Sequence, residues 1–316
     1  MLPPGIFRVP VPTGLPVGTV NAYVLKRDPI TVVDPGPKAP GAWEALKAGL
    51  SDAGVGRSEV AQILVTHGHV DHFGLAAQLR EESGARVLAP APDADMIADF
   101  HATYARRRER FQGVLAESDA PIGLRESLSA FFLHLDALGD PVPVDIPLED
   151  GRSFEAGGEL FTAIHTPGHS KGAMAYWGSR GVLLSGDTVI PGMTPLAAFG
   201  GRDGTSIGLA DHLASLDRLV GLPFRLILPG HRQPLTDLRK YAWESRTLYA
   251  ERQRQILALL REPRTAWQVT HALFGDLPVT EVFLGLTETL GHLEILETAS
   301  SVSSAVEGGV RRFSVR

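Results

Sequence analysis

The chain has no cysteine. Disulfides, thiolate zinc sites, cysteine-held iron–sulfur clusters and a cysteine nucleophile are therefore excluded. No window reaches the run of about 18 apolar residues that a membrane-spanning helix needs, so an integral membrane protein is not expected. The segment from Met1 to Gly18 lacks a basic start followed by an apolar stretch. It is not read as a secretory signal, and the cytoplasm is the expected compartment. Positive charge is also short: 30 Lys and Arg against 36 Asp and Glu leave a net charge of −6. Such a chain has no general attraction for phosphate backbones, although a local basic patch could still form. Internal repeats and low-complexity stretches are missing. What remains is ordinary globular usage, 44% hydrophobic and 21% charged, in 316 residues, enough for one large or two modest domains.

The first half reads as alternating strands and helices. Residues 19–25 and 30–33 are β-rich and separated by the Asp28-Pro29 turn, which suggests an antiparallel hairpin. Trp43, Leu46 and Leu50 have helical spacing; Gln62 to Val65 fits a buried strand; a helix follows with Phe73, Ala76 and Leu79 and ends at Gly84; residues 86–89 form another strand. From about 93 to 139 the spacing is helical, with Met96, Ile97, Phe100, Tyr104 and Phe111, then Leu124, Leu128, Phe131, Phe132 and Leu135. This is read as a helical pair inserted between two β-rich halves. Strands resume over 159–165, 173–177, 182–184 and 225–228, with a helix from Asp211 to Val220 before the last. Beyond Leu238 three helices (243–262, 265–274 and 279–296) precede a hairpin turning at Glu307-Gly308-Gly309. This C-terminal part reads as a small winged-helix-like unit, giving domains 1–238 and 239–316.

Four short loops carry the chemistry: His67-Gly68-His69-Val70-Asp71-His72, Thr166-Pro167-Gly168-His169, Ser185-Gly186-Asp187-Thr188 and Leu228-Pro229-Gly230-His231. Each follows an apolar or β-rich run, where sites on a rigid sheet are built. His67 and His69 are two apart, so in extended backbone their side chains leave on one face. Three histidines and an aspartate within six residues exceed what one catalytic zinc with an open position uses, so two metals explain them better. Taken singly, the later loops are plain turns; their joint occurrence in this order is the signal.

These motifs closely resemble the metallo-β-lactamase superfamily: His67-x-His69-x-Asp71-His72, then His169, Asp187 and His231, with Asp34 of Thr31-Val32-Val33-Asp34-Pro35-Gly36 at the family's early structural aspartate. The resemblance spans about residues 15 to 235. It implies an α/β fold, a four-layer αβ/βα sandwich with metals at one edge between two sheets. It also implies that His67, His69 and His169 bind one metal, that Asp71, His72 and His231 bind the other, and that Asp187 bridges. Donors of this kind without thiolate favour zinc, with iron or manganese as other occupants. The expected function is a dinuclear metal-dependent hydrolase that uses a metal-bridging hydroxide on an ester, thioester, lactone or phosphodiester bond. Asp71 is the catalytic candidate, holding the second metal and the hydroxide in place, and His165 is a candidate for orienting a ligand.

A metallo-β-lactamase domain with a winged-helix tail further resembles the β-lactamase-like protein 2 branch, some members of which cut single-stranded RNA. The helix 279–298, however, holds Glu281, Glu288, Glu294 and Glu297 and no Lys or Arg, which disfavours nucleic acid as a partner. A small-molecule substrate is expected, with no membrane partner; a homodimer is an assembly that the helical tail would support. Arg106, Arg107 and Arg110 in the insertion, and Arg202 beyond Asp187, are candidate contacts for an anionic substrate. Two other classes stay open: an iron-dependent oxygenase of the persulfide dioxygenase type, whose members lack the insertion and tail, and a binding protein that keeps the fold. The glutathione-binding basic pattern of glyoxalase II is not recognisable near the C-terminus.

Overall fold

The computed structural model describes residues 2–192 and 208–316. Its first sheet has six strands in sequence order: β1 (Ile6–Val11), β2 (Val20–Leu25), β3 (Thr31–Val33), β4 (Gln62–Leu64), β5 (Arg86–Pro90) and β6 (Ile146–Leu148). The first three pair antiparallel and the rest parallel. Between β3 and β6 lie α1 (Ala42–Asp52), α2 (Val70–Phe73), α3 (Ala76–Ser83), α4 (Ala91–Ala98), α5 (Phe100–Glu117) and α6 (Ile122–Asp136). The second sheet contains β7 (Ser153–Ala156), β8 (Glu159–His165), β9 (Met174–Gly178), β10 (Val182–Gly186) and β11 (Leu226–Pro229), in the order β11-β10-β9-β8-β7. Helix α7 (Leu209–Val220) connects β10 to β11, a parallel pair.

Alternation along the strands builds the layers. In β3, β4 and β5, Val32, Ile63 and Val87 pack outward with Leu46 and Leu50 of α1 and Leu79 of α3. Their neighbours Val33, Leu64 and Leu88 turn inward and meet Phe161, Met174, Tyr176, Leu184 and Leu228 of the other sheet. On the far side Leu183 and Ile227 pack against Leu216 and Leu219 of α7. Successive side chains leave a strand on opposite faces, so strands covered on both sides read as unbroken apolar runs. The result is helix, sheet, sheet, helix: the four-layer α/β sandwich.

The chain continues with α8 (Leu238–Leu259), β12 (Arg264–Thr265), α9 (Ala266–Phe274), α10 (Val279–Thr298), β13 (Val302–Glu307) and β14 (Val310–Val315), the strands forming a sheet of order β12-β14-β13. Helix α8 is continuous: Leu238, Tyr241 and Ala242 pack on the second sheet's outer core, while Ile256 packs with Val269, Leu286 and Phe313. That C-terminal core also takes in Leu115, Ala120 and Leu128 from α5, α6 and their connection. Trp267 N–H donates to Ser118 O at 3.0 Å, and Arg311 pairs with Glu117. Among the described residues, no helix is long and apolar enough to cross a membrane.

Several elements differ from the sequence reading. Strand β1 carries Pro10 and has no counterpart there; it lies at the sheet edge, where a missing N–H is tolerated. Strands β6 and β7, of three and four residues, are too short to show a period. The insertion, expected as a helical pair, contains three helices, with a break at Asp99 (φ −119°, ψ 49°). Helix α8 starts at Leu238 instead of Trp243, capped by Asp237, whose carboxylate accepts from Lys240 N–H at 2.9 Å.

One tight helix-on-sheet contact is testable. A Cβ at Gly49 of α1 would lie 2.2 Å from Val9 Cγ2 of β1. Gly49→Ala is expected to destabilise by about 1–3 kcal/mol through overpacking. Adding Val9→Ala should recover part of that loss in urea denaturation, whereas strictly additive losses would show that this contact is not the cause.

Candidate metal centre

All four chemical loops leave the two sheets at one edge. The His67–His72 segment follows β4, His169 follows β8, Asp187 follows β10 and His231 follows β11. Three groups result, each with ligand atoms within 4.8 Å of one another: His67, His69 and His169; His67, His72 and Asp187; and Asp71, His72 and His231. Asp187 lies among them, its Oδ2 3.5 Å from His169 Nε2, 3.4 Å from His72 Nε2 and 3.5 Å from His231 Nε2. Asp71 Oδ2 is 3.3 Å from His231 Nε2. Gly230 makes this approach feasible, since a Cβ there would sit 2.3 Å from Asp187 Oδ1.

Hydrogen bonds behind the rings decide which nitrogen faces inward. Asp34 accepts from Thr66 N–H at 2.8 Å, from the Thr66 hydroxyl at 2.7 Å and from His72 Nδ1 at 2.9 Å. Because the Thr66 hydroxyl spends its proton on Asp34, it accepts from His67 Nδ1, 3.1 Å away. His231 Nδ1 donates to Thr19 O at 2.8 Å. Each ring therefore points an Nε2 lone pair into the cluster. The Nε2 atoms of His67, His72 and His231, with Asp187 Oδ1, are buried and have no hydrogen-bond partner among the described residues. Buried polar atoms left unpaired cost roughly 1–3 kcal/mol each, and a cation accepting these lone pairs removes that cost. The donor set fits a divalent metal.

The electrostatics agree. Burial, then the neighbouring His72, His69 and His169, holds His67 well below the ordinary imidazole range. Burial, then His169 and Arg107, does the same for His69. Neutral imidazole is the ligating form. Burial also opposes charge on His72 and His231, but Asp187 and Asp71, joined at His72 by Asp34, outweigh it and raise both. Conversely, burial opposes ionised Asp71 and Asp187, yet His72 and His231 outweigh it and hold both carboxyls below their usual range. The carboxylates thus lean on imidazole protons where a divalent cation would serve.

The other expected residues separate. His165 bonds the carbonyl of Lys171 at 2.9 Å and so braces the His169 turn, not a ligand ring. Arg106 donates to Thr103 Oγ1 at 2.7 Å and lies 3.6 Å from Asp99, tied to its own helix. Arg107 instead reaches toward the cluster, where its charge acts on His69 and Asp93. Arg110 is exposed on the same helix, and Arg202 lies outside the described residues.

Further contributors carried no sequence signal. Asp93 of α4, buried, accepts from Gly68 N–H at 2.7 Å and also from Gly172 N–H, joining two ligand loops. Burial raises its pKa, those N–H bonds working against the rise. Asn21 donates to Pro229 O at 2.9 Å and Arg232 O at 2.8 Å, and the Tyr23 hydroxyl to Pro229 O at 2.8 Å, fixing the His231 loop from β2. His212 of α7, pushed down to about 3 by burial, packs against Gly168. Asp93→Ala should loosen both loops: a loss of about 1–3 kcal/mol in stability and a lower metal content at equal metal supply are expected. Metal analysis with thermal denaturation checks this; wild-type values in both would remove Asp93 from the site's support.

Comparisons with known proteins place this geometry. The metallo-beta-lactamase superfamily model matches residues 15–231. A Bacillus subtilis protein named probable metallo-hydrolase YqjP is 29% identical over 317 residues, 98% of this chain and 97% of its own. The hydroxyacylglutathione hydrolase of Pseudomonas paraeruginosa is 31% identical over 214 residues, covering 66% of this chain and 58% of its own. Among solved structures, a metallo-beta-lactamase family protein of Thermus thermophilus superposes with TM-score 0.85 at 30% identity, covering 100% of both chains. With motif, sheet order and buried histidine–aspartate cluster in agreement, the chain belongs to the metallo-beta-lactamase superfamily.

Proposed function

We propose that the protein is a dinuclear metal hydrolase of ester-type bonds, with thioesters foremost. The observation that carries this reading is Asp187 Oδ2, 3.4–3.5 Å from ring nitrogens of His169, His72 and His231, so that one carboxylate joins two ligand groups. His67, His69 and His169 would hold one ion, Asp71, His72 and His231 the second, with Asp187 between. Zinc suits this thiolate-free nitrogen and oxygen set. Bound, the ions supply a hydroxide nucleophile at neutral pH and polarise the scissile carbonyl.

The chain's own residues do the rest. Asp34 fixes the His72 ring directly and the His67 ring through Thr66. Asp71 is the more open of the two carboxylates, 13% exposed against 6% for Asp187. It is therefore assigned to help hold the second ion and to orient the nucleophile that the ions would supply. The thioester preference draws on relatives named hydroxyacylglutathione hydrolase, a name that denotes cleavage of an acylated glutathione. In this reading residues 1–238 form the catalytic unit and 239–316 a winged-helix-like support. Helix α10 is largely buried and packs on α6, α7, α8 and α9, which favours a packing role over nucleic-acid reading.

Stripping and reloading the protein tests the site. Two zinc ions per chain are expected, one after His231→Ala, together with hydrolysis of thioesters that His69→Ala abolishes. A single ion in the wild type, or turnover surviving His69→Ala, would refute the mechanism. Protons compete with metal for the same lone pairs. Because the carboxylates raise His72 and His231 in the metal-free fold, that competition sets in at higher pH than for ordinary imidazoles. Apparent zinc affinity should therefore fall as pH is lowered from about 8 to about 6, with proton uptake on stripping, as measured by calorimetry in two buffers.

A further inference from the structure

The inserted helices reach the metal cluster through α4. Asp93 holds Gly68 N–H, and the Met96 methyl sits against Gly68, 2.0 Å from where a Cβ would stand. Gly68 is the residue between His67 and His69. Arg107 of α5 extends this chain of contacts, its Nη1 3.1 Å from Met96 Sδ. A thioether is a weak acceptor for a guanidinium. Among the described residues no carboxylate lies within ion-pair distance of Arg107, whereas Arg106 beside it pairs with Asp99. The Arg107 charge acts on His69 and Asp93.

Tyr104 stands one turn earlier, so both side chains share a helix face. Its ring packs on Phe100 and Phe132, with centroids 5.1 Å and 6.1 Å away. Its hydroxyl has no hydrogen-bond partner among the described residues; burial raises its pKa, with the Arg107 charge working against the rise and Asp71 and Asp136 adding to it. Solvent-exposed Arg107 and the Tyr104 hydroxyl thus stand on the face of α5 that Met96 links to Gly68, between the ligands His67 and His69. The platform is braced: Phe111 of α5 meets Phe283 of α10 at 5.2 Å, and Glu117 pairs with Arg311 of β14.

We propose that Arg107, assisted by the Tyr104 hydroxyl, recognises a carboxylate on the substrate. The preferred substrate is then an ester or thioester with a negative charge at the end facing the inserted helices. This deepens the hydrolase reading and rests on it for the nature of the bond, but the recognition itself is testable without turnover.

Thiols serve as probes, because a thiolate takes a place on zinc while its tail reports the surroundings. Calorimetry on the zinc-loaded protein would compare mercaptoacetate, mercaptopropionate and mercaptohexanoate with their methyl esters. The wild type is expected to bind at least one acid about tenfold tighter than its ester. Arg107→Ala and Arg107→Gln should abolish that preference with ester affinities unchanged, Arg107→Lys should keep part of it, and Arg106→Ala should keep all of it. Equal wild-type affinity for acids and esters, or a preference that survives Arg107→Ala and Arg107→Gln, overturns the proposal. In kinetics, kcat/KM for an acyl thioester bearing a carboxylate, relative to a neutral one, should fall through KM in Arg107→Ala. An Arg107-dependent acid preference in a protein that hydrolyses nothing would sink the hydrolase reading and leave this one standing.

Discussion

Lone pairs of buried imidazoles and carboxylates, turned toward one another and away from water, are the constraint around which this fold is arranged. Removing such atoms from water without a partner costs several kcal/mol in sum. The protein satisfies the back of each ring instead. Asp34 takes the protons of His72 and Thr66, Thr66 accepts from His67, and Thr19 O accepts from His231. With the outer nitrogens committed, the inner ones face one another and the Asp71 and Asp187 carboxylates. That geometry is stable in company with cations and poorly stable without them.

The same constraint explains the position of the cluster. Parallel strands β3, β4 and β5 and the parallel pair β10 and β11 end at one edge, so loops distant in sequence arrive side by side. Rigid strand ends set the directions of the side chains within small limits. Asp93, Asn21 and Tyr23 then fasten the loops from neighbouring elements.

The insertion and the C-terminal unit have a joint role. Leu115 and Leu128 from the inserted helices share a core with Val269, Leu286 and Phe313, so neither set is a free appendage. Through this core the C-terminal unit steadies α5 and α6 and, by way of α4, the loop that bears His67 and His69. Helix α10 lies inside this assembly, with Leu286 and Leu293 fully packed.

The order of the motifs, the short apolar strands around Val32-Val33, Ile63-Leu64 and Leu183-Leu184, and the hairpin at residues 302–315 were legible in the chain, because they depend on spacing within a few residues. The His67–His72 loop stood out because it crowds four ligand-type residues into six positions, whereas His169, Asp187 and His231 drew their signal from motif order and family resemblance. Other features had no local signature. Strand β1 hides behind a proline, Asp93 looks like any acidic helix residue, and nothing within the basic run distinguishes Arg106 from Arg107. What separates those two arginines is which face of α5 meets Met96 and Gly68 and which meets Asp99 and Thr103. That choice is made by packing between elements far apart in sequence, and local spacing carries no record of it.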